Sequence, residues 1–461
     1  MKELTVGNLA KRIIKNVNIE ENVLKDELER YIWPRLDFIV GSDENKLYFE
    51  FEDSYIETEW KDMISIHYLN TSYNVQNSVM RVHIFAQNTL DNEVYVGFFT
   101  LRKIDEVQIM LSFIYPDWRK VKCDEAIPHV MTYLKYVHIK GRVFTICTYP
   151  LFAQDNITVA CSQANIISMT KYLHSKYDMN MLRIRDINKS FSIGKTKLFP
   201  TYGINSQQML EIFSNNNIPV YIKQIGWKTE EERQREEKIY CRYIDYSIES
   251  AIPVMIGGCV KNGNIIEKHV VQIIGHAKQD RHKYIIYDDS GYLIRSIANQ
   301  EERTNGFVEA IEWEKLYKFI GQENSFILFA LHEKVYLQYD DMRDILEIAC
   351  SQSTGIQKMI NRKYLILDET RYLVVDNIII KEFLNKLSGD EYILSAEMKD
   401  IEETLSENMP HYLWYCEIPL KNNEGYWIFV ADTTFWKKTT KNIFYIKGIY
   451  SKRRISLLNY S

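Results

Sequence analysis

The sequence has 461 residues, and at about 100–200 residues per domain this length predicts three domains. Hydrophobic residues make up 46% of the chain and charged residues 26%, so the composition is that of a globular protein and excludes a disordered one. The formal net charge of −5 lacks the basic excess that binding to a phosphate backbone requires, and nucleic acid is not an expected partner.

The N-terminal residues mix charged side chains with apolar ones at helical spacing and lack the continuous apolar core of a signal peptide. No later stretch approaches about 18 consecutive apolar residues, the length that a membrane-spanning helix needs. We therefore expect a cytoplasmic protein without a membrane span.

Residues 1–120 are predicted to form an N-terminal α+β module. A helix is expected over 18–32, with acidic residues in its first turns and Pro34 after its end. Strands are expected at 79–87 and 94–103, where β-branched and aromatic residues are concentrated, with a turn at 91–93 between them. No motif in this module indicates its role.

Residues 121–330 form the second predicted domain. Its elements are a helix that stops at Gly141, a strand that ends before Pro150 and a helix over 162–177 with an apolar stripe. Residues 228–239 are highly charged and predict a solvated helix or loop. Short apolar strands are expected at 251–260, 269–276 and 283–289.

Residues 331–461 are predicted to form a C-terminal α+β module. A helical pattern covers 340–352, and two neighbouring strands are expected at 364–369 and 372–380. A hairpin is expected from 411–420 and 425–432. The flanking modules, 1–120 and 331–461, are candidates for substrate or partner recognition.

The seven cysteines are scattered and contain no C-x-x-C pair, so neither a disulfide framework nor a zinc ribbon is predicted. Cys161 directly precedes a predicted helix, where the helix dipole and unpaired backbone N–H groups stabilise a thiolate. His269 opens a predicted strand, and Asp288 and Asp289 close the next one. Adjacent antiparallel strands can bring a histidine beside an aspartate, which would complete a nucleophile, a base and an orienting group.

Gln154, seven residues before Cys161, is a candidate donor to a developing oxyanion, together with the Cys161 backbone N–H. No G-x-x-x-x-G-K-[ST], G-x-G-x-x-G or H-E-x-x-H motif is present, and the ten histidines show no metal-ligand spacing. We therefore predict no cofactor and no metal. Gly257 and Gly258 lie in an apolar strand and predict a bulge or a close backbone approach.

The order of these motifs resembles that of papain-like cysteine peptidases, which run Gln, Cys at a helix start, H-A-V-x-x-V-G-Y, and a strand ending N-S-W-G. This chain has Gln154, Cys161-Ser-Gln-Ala, a segment from His269 to His276 with the sequence HVVQIIGH, and Asp288-Asp-Ser-Gly. It is most similar to the bacterial double-glycine-leader peptidase-like group, whose members often have Asp in place of Asn. Two departures are Ser162 after the cysteine and one extra residue between Gln154 and Cys161.

The resemblance implies a core in which a helix carrying the cysteine packs on an antiparallel sheet carrying histidine and aspartate. It also implies a thiolate nucleophile at Cys161, a general base at His269, an orienting residue at Asp288 and an oxyanion donor at Gln154. The phase of the D/N-x-x-G pattern favours Asp288 over the alternative, Asp289. The expected activity is hydrolysis of a peptide or amide bond in a peptide or protein substrate. Two alternatives are acyl transfer on the same triad, as in transglutaminases, and a non-catalytic interaction protein with a papain-like core.

Overall fold

The structure is a computed structural model, in which the chain divides into two units. The first unit comprises Met1–Glu230 and Pro253–Ala330, and the second comprises Glu231–Ile252 and Leu331–Ser461. The predicted three-domain division stays a prediction. The residues that the structure describes are 10–11, 13–14, 21–32, 47–68, 78–86, 90–103, 107–114, 129–154, 161–190, 204–226, 229–262, 265–277, 283–290, 293–294, 308–320, 325–332, 334–335, 338–361, 365–388, 409–421, 425–434 and 443–449.

The protein belongs to the α+β class, as predicted. Within the described residues every strand pairing is antiparallel, and no helix is both long and apolar enough to cross a bilayer. The described helices are α1 (Glu21–Tyr31), α2 (Thr58–Met63), α3 (Cys161–Tyr177), α4 (Ile184–Ser190), α5 (Ser206–Asn215), α6 (Glu230–Glu249), α7 (Trp313–Ile320), α8 (Tyr339–Gln352), α9 (Thr354–Asn361) and α10 (Asn377–Ser388). The predicted helix over 18–32 is confirmed by α1, and the charged segment at 228–239 falls largely within α6.

A five-stranded sheet opens the first unit, in the order β1-β2-β3-β4-β8. The predicted turn at 91–93 is confirmed as a short 3-10 turn between β2 and β3. The last strand, β8, ends two residues before Gln154, so the chain passes from this sheet directly to the predicted oxyanion donor. Its strands are β1 (Tyr48–Tyr55), β2 (Val79–Phe85), β3 (Tyr95–Lys103), β4 (Val107–Ile114) and β8 (Leu151–Phe152).

The predicted helix before Gly141 is wrong, because this segment forms a two-stranded hairpin of β6 (Tyr133–Ile139) and β7 (Arg142–Thr148). Most side chains of β6 alternate between buried and exposed, which is the period of a strand. Lys140 and Gly141 have φ angles of 47° and 77°, and a two-residue turn with positive φ at both positions matches the twist of the flanking strands. Apolar residues lie on both faces of the hairpin, so their spacing alone did not distinguish a helix from a strand.

A second sheet of the first unit carries the predicted His and Asp segments. Its path is β13-β12-β11-β10-β14-β9, and β5 pairs with the end of β11. The predicted strands at 251–260, 269–276 and 283–289 are confirmed as β10, β11 and β12. The bounds are β5 (His129–Val130), β9 (Val220–Ile225), β10 (Val254–Asn262), β11 (Ile265–His276), β12 (Lys283–Tyr287), β13 (Val308–Glu312) and β14 (Ser325–Ala330).

The second unit contains a four-stranded sheet covered on both faces. One face packs against residues of α6, α8 and α9, and the other packs against α10. The predicted hairpin from 411–420 and 425–432 is confirmed, whereas the predicted strand at 364–369 is an isolated bridge at Leu365 followed by a 3-10 turn. The strands are β15 (Arg371–Asp376), β16 (Tyr412–Pro419), β17 (Tyr426–Asp432) and β18 (Ile443–Ile449), in that order.

Candidate active site

Cys161 is the first residue of α3. Its side chain is partly exposed, whereas residues 162–170 are all buried. The preceding residues 155–160 lie outside the described part of the chain. A cysteine at this position lies beside the unpaired backbone N–H groups of the helix start and the positive end of the helix dipole.

Helix α3 is buried because apolar residues occur all around its first turns, among them Ala164, Ile166 and Ile167. Polar residues near its start are hydrogen-bonded within the protein. Ser162 Oγ accepts from the backbone N–H of Ile204 at 3.0 Å, and Gln163 Nε2 donates to Asn188 Oδ1 at 3.0 Å. These bonds hold the residues that follow Cys161 in place.

His269 lies on β11, and its ring is 5% exposed. Its Nε2 is 2.7 Å from Asp288 Oδ1, and the ring is also hydrogen-bonded to Cys161. Burial by itself lowers the pKa of His269, but the negative charges of Asp288 and Cys161 and the hydrogen bonds to both raise this pKa well above the ordinary 6.5. Because Nε2 is directed at Asp288, Nδ1 is the ring nitrogen left for the thiol.

Asp288 follows β12 and is completely buried. Besides His269, its carboxylate accepts from the Ser290 backbone N–H and hydroxyl, each at 3.3 Å, and from the Ile294 backbone N–H at 3.1 Å. Burial raises the pKa of Asp288, but the positive charge of His269 and these hydrogen bonds outweigh burial, so the pKa lies below the ordinary 3.8. Asp288 is therefore an anion beside the imidazole.

Asp289, the alternative third member, is also completely buried but differs in its contacts. Its Oδ1 lies 3.8 Å from His269 Nε2 and accepts from Asn165 Nδ2 at 3.2 Å, while Oδ2 has no hydrogen-bond partner among the described residues. Burial raises the pKa of Asp289 to about 7. Asp288 is thus the residue that hydrogen-bonds the ring.

Gln154 lies two residues after β8 and is half-buried. Its side chain makes no hydrogen bond with another described residue. The residue two before it is held firmly, because Phe152 both donates to and accepts from the Tyr287 hydroxyl, at 2.9 and 2.7 Å. The role of Gln154 as an oxyanion donor stays a prediction.

Gly258 pairs with His269 across β10 and β11, and the pairing is regular at this point. A Cβ atom at Gly258 would lie 2.3 Å from the Phe319 carbonyl oxygen of α7, and one at Gly257 would lie 2.0 Å from the Phe326 ring. The predicted close backbone approach is therefore present at Gly258, and the alternative, a bulge, is not.

Three polar residues behind the site were missed from the sequence: Asn165, Gln272 and Tyr149. Asn165 donates to the Cys161 carbonyl oxygen, Gln272 donates to Asn165, and the Tyr149 hydroxyl donates to Gln272. The signal that could have revealed two of them is a polar amide within an apolar run, at Asn165 in α3 and at Gln272 in β11.

His269, Asp288 and Asp289 also lie close enough together to share a cation, since each offers one ligand atom and these atoms lie within 4.8 Å of one another. The donor set of one imidazole and two carboxylates suits zinc or another divalent transition metal. In the structure these atoms bond to each other and to neighbouring donors instead.

The remaining described cysteines lack such a setting. Cys241, Cys259, Cys350 and Cys416 are buried and Cys147 is exposed, and all are free thiols. Burial raises the pKa of Cys350 to about 11 and that of Cys416 well above 9.0. Cys123 lies outside the described residues.

No protein-family model matches the chain, and no curated protein sequence matches it.

Proposed function

We propose that this protein is a papain-like cysteine hydrolase that cleaves a peptide or amide bond with Cys161, His269 and Asp288. One observation carries the proposal: the His269 ring is hydrogen-bonded to Asp288 at 2.7 Å and, at the same time, to Cys161. A thiol bonded to an imidazole that is itself bonded to a carboxylate is the arrangement that nucleophilic catalysis by cysteine requires.

The reaction begins when His269 takes the proton of the Cys161 thiol, Sγ bonds to the substrate carbonyl carbon and the C=O π electrons move to the oxygen. The Cys161 backbone N–H and the Gln154 side chain are the proposed donors to this oxyanion. The C–N bond then breaks, and the amine leaves with a proton from His269, which produces a thioester. His269 next removes a proton from water, and the resulting hydroxide attacks the thioester and releases the thiolate.

Asp288 supports the reaction by accepting the hydrogen bond from His269 Nε2, which orients the ring and stabilises its positive charge. Its own backbone hydrogen bonds, from Ser290 and Ile294, hold the carboxylate in place. The papain-like assignment draws support from the order of the four motif residues and from the packing of α3, which starts at Cys161, against β11, which carries His269.

Acyl transfer is a second reaction that the same residues support, because the thioester can react with an amine in place of water. Mass spectrometry of products formed with an added primary amine separates the two reactions. A carboxylic acid product supports hydrolysis, and an amide of the added amine supports a transferase. A non-catalytic protein with a papain-like core would form neither product.

The direct test is labelling with iodoacetamide, followed by peptide mass spectrometry of all seven cysteines. We expect Cys161 to label fastest at slightly acidic pH and His269→Ala to remove this advantage. Cys147 is the matched control because it is exposed but lacks a histidine contact in the described residues. Equal labelling of Cys161 and Cys147, unaffected by His269→Ala, would rule out the proposed function.

We also propose that residues 1–120 and 331–461 recognise the peptide or protein substrate or a partner, and that the protein acts in the cytoplasm of a bacterium. These proposals are supported by the resemblance to the leader peptidase-like group. Deleting 331–461 should leave iodoacetamide labelling of Cys161 intact if this region serves recognition.

A further inference from the structure

Asn165 lies one helical turn after Cys161 in α3 and is completely buried. Its side-chain nitrogen, Nδ2, has three acceptors within hydrogen-bond distance. These are the carbonyl oxygen of Cys161 at 2.8 Å, the carbonyl oxygen of Val270 at 2.9 Å and Asp289 Oδ1 at 3.2 Å.

Each acceptor belongs to a different element of the candidate site. The first is in the nucleophile residue itself, the second is in the residue after His269, and the third is in the residue after Asp288. One amide group therefore connects the start of α3, the strand β11 and the turn after β12. These elements are 105 and 124 residues from Asn165 along the chain, so local backbone geometry cannot hold them at this spacing.

The orientation of the Asn165 amide is itself determined by neighbours. Gln272 Nε2 donates to Asn165 Oδ1 at 2.9 Å and to the Asn165 backbone oxygen at 2.8 Å, and Gln272 Oε1 accepts from the Tyr149 hydroxyl. Because Asn165 Oδ1 already accepts from Gln272, the amide cannot flip without losing this bond and directing its oxygen at three acceptors.

We propose that Asn165 is a positioning residue that sets the separation between the Cys161 thiol and the His269 ring. This inference rests on the proposed function. A thiolate paired with an imidazolium requires the two groups within hydrogen-bond reach, and a displacement of about 1 Å can cost about 10²-fold in rate. The Nδ2 hydrogen bonds prevent α3 from sliding along β11 by that amount.

The test compares Asn165→Leu, which keeps the approximate volume and removes every hydrogen bond of the Asn165 side chain, with Gln272→Leu, which keeps that side chain and removes the donor that orients its amide. Thr170→Val is the matched control. It also removes buried hydrogen bonds from α3, to Ile166 and Leu182, but none of them reaches β11 or β12. Circular dichroism and thermal melting report whether each variant folds.

The readout is the pH profile of iodoacetamide alkylation at Cys161, which needs no substrate. An ordinary thiol reacts slowly well below a pH of about 8.5, whereas a thiolate–imidazolium pair reacts at acidic pH. We expect Asn165→Leu to slow alkylation at acidic pH by about 10–100-fold, Gln272→Leu to slow it less, and Thr170→Val to match the unmodified protein.

The outcomes separate this inference from the proposed function. If the unmodified protein shows no fast alkylation of Cys161 at acidic pH, the proposed function fails and this inference fails with it. If the unmodified protein reacts quickly and both folded variants keep its profile, Asn165 does not position the pair, and the proposed function stands. If Asn165→Leu does not fold, the profile of Gln272→Leu decides, and an unchanged profile overturns the inference.

Discussion

Asp288 and Asp289 are adjacent in sequence and equally buried, yet the pKa of Asp288 lies below the ordinary 3.8 and that of Asp289 is raised to about 7. Asp288 accepts hydrogen bonds from the His269 ring at 2.7 Å and from the backbone N–H groups of Ser290 and Ile294. Asp289 accepts from Asn165 Nδ2 instead, and its Oδ1 lies 3.8 Å from His269 Nε2. A buried carboxylate is stable only where donors or a positive charge compensate for lost hydration. Burial and the charge of Asp288 therefore raise the pKa of Asp289, whereas the charge of His269 and the backbone hydrogen bonds lower the pKa of Asp288.

Asp288→Asn should lower the pKa of His269, because it removes the larger of the two negative charges that raise that pKa. The drop should be about 1 to 3 pH units. An NMR titration of labelled histidine measures this change directly. In the proposed reaction the alkaline limit of activity should move to lower pH by a similar amount, and an unchanged His269 titration would contradict the assigned contact.

The His269–Asp288 pair should also contribute to stability within a definite pH window. The pKa of His269 is raised in the folded state, so its contribution is lost as pH rises through that value. The pKa of Asp288 is lowered, so its contribution is lost as pH falls through that value. The destabilisation caused by Asp288→Asn should therefore be largest between these two limits.

Asp289→Asn should stabilise the folded protein, whereas Asp288→Asn should destabilise it. The pKa of Asp289 is about 7 in the folded state and 3.8 ordinarily, so the unfolded chain loses this proton first and folding becomes less favourable as pH rises from about 4 to 7. The variant lacks this penalty. Its melting temperature, relative to that of the unmodified protein, should increase by several degrees over this interval. A difference that does not vary with pH would contradict a buried, protonated Asp289.

Glu57→Ala should destabilise the first unit by about 3–5 kcal/mol, because it leaves the Arg102 guanidinium buried without its anion. Arg102 is completely buried, its two guanidinium contacts with Glu57 include a short ion pair, and its guanidinium also lies over the Trp60 ring. Urea denaturation measures the loss. The double variant Glu57→Leu, Arg102→Met should recover much of it, whereas Glu29→Gln in an exposed pair should change little.

Gly258→Ala should reduce both stability and the reactivity of Cys161. The new Cβ would lie 2.3 Å from the Phe319 carbonyl oxygen, so β10 or α7 must move, at a cost of about 1–3 kcal/mol. Because Gly258 pairs with His269, a shift of β10 also displaces the base. Gly226→Ala is the matched control, since a Cβ there meets no atom within 4 Å. Equal melting temperatures for the two variants would contradict the close packing.

Exposure to a chelator should leave alkylation of Cys161 unchanged, while added zinc should inhibit it. Zinc binds thiolates, imidazoles and carboxylates. It would therefore compete with protons for the side chains of Cys161, His269 and the aspartates, and it would block the thiol. Inhibition by the chelator would instead indicate that the cluster of His269, Asp288 and Asp289 is a metal site.

The sequence alone was sufficient for features that depend on local order. It predicted a helix directly after Cys161, a strand opened by His269 and a strand that runs into Asp288, because capping position and apolar runs are visible within about ten residues. The structure has these elements, with the helix beginning at Cys161 itself and the His269 strand beginning at Ile265. The sequence did not predict the β6–β7 hairpin, where apolar residues fit the spacing of either a helix or a strand.

The D/N-x-x-G pattern of the sequence favoured Asp288, but only the tertiary structure shows that Asp288 bonds to His269 and that Asn165 contacts all three elements of the site. The long-range Asn165 contacts join residues more than 100 positions apart, since Asn165 bonds to Val270 and to Asp289. A buried amide and a solvated one are identical in sequence. The energetic difference between them arises only when packing removes water and leaves each polar group with the partners that the fold provides.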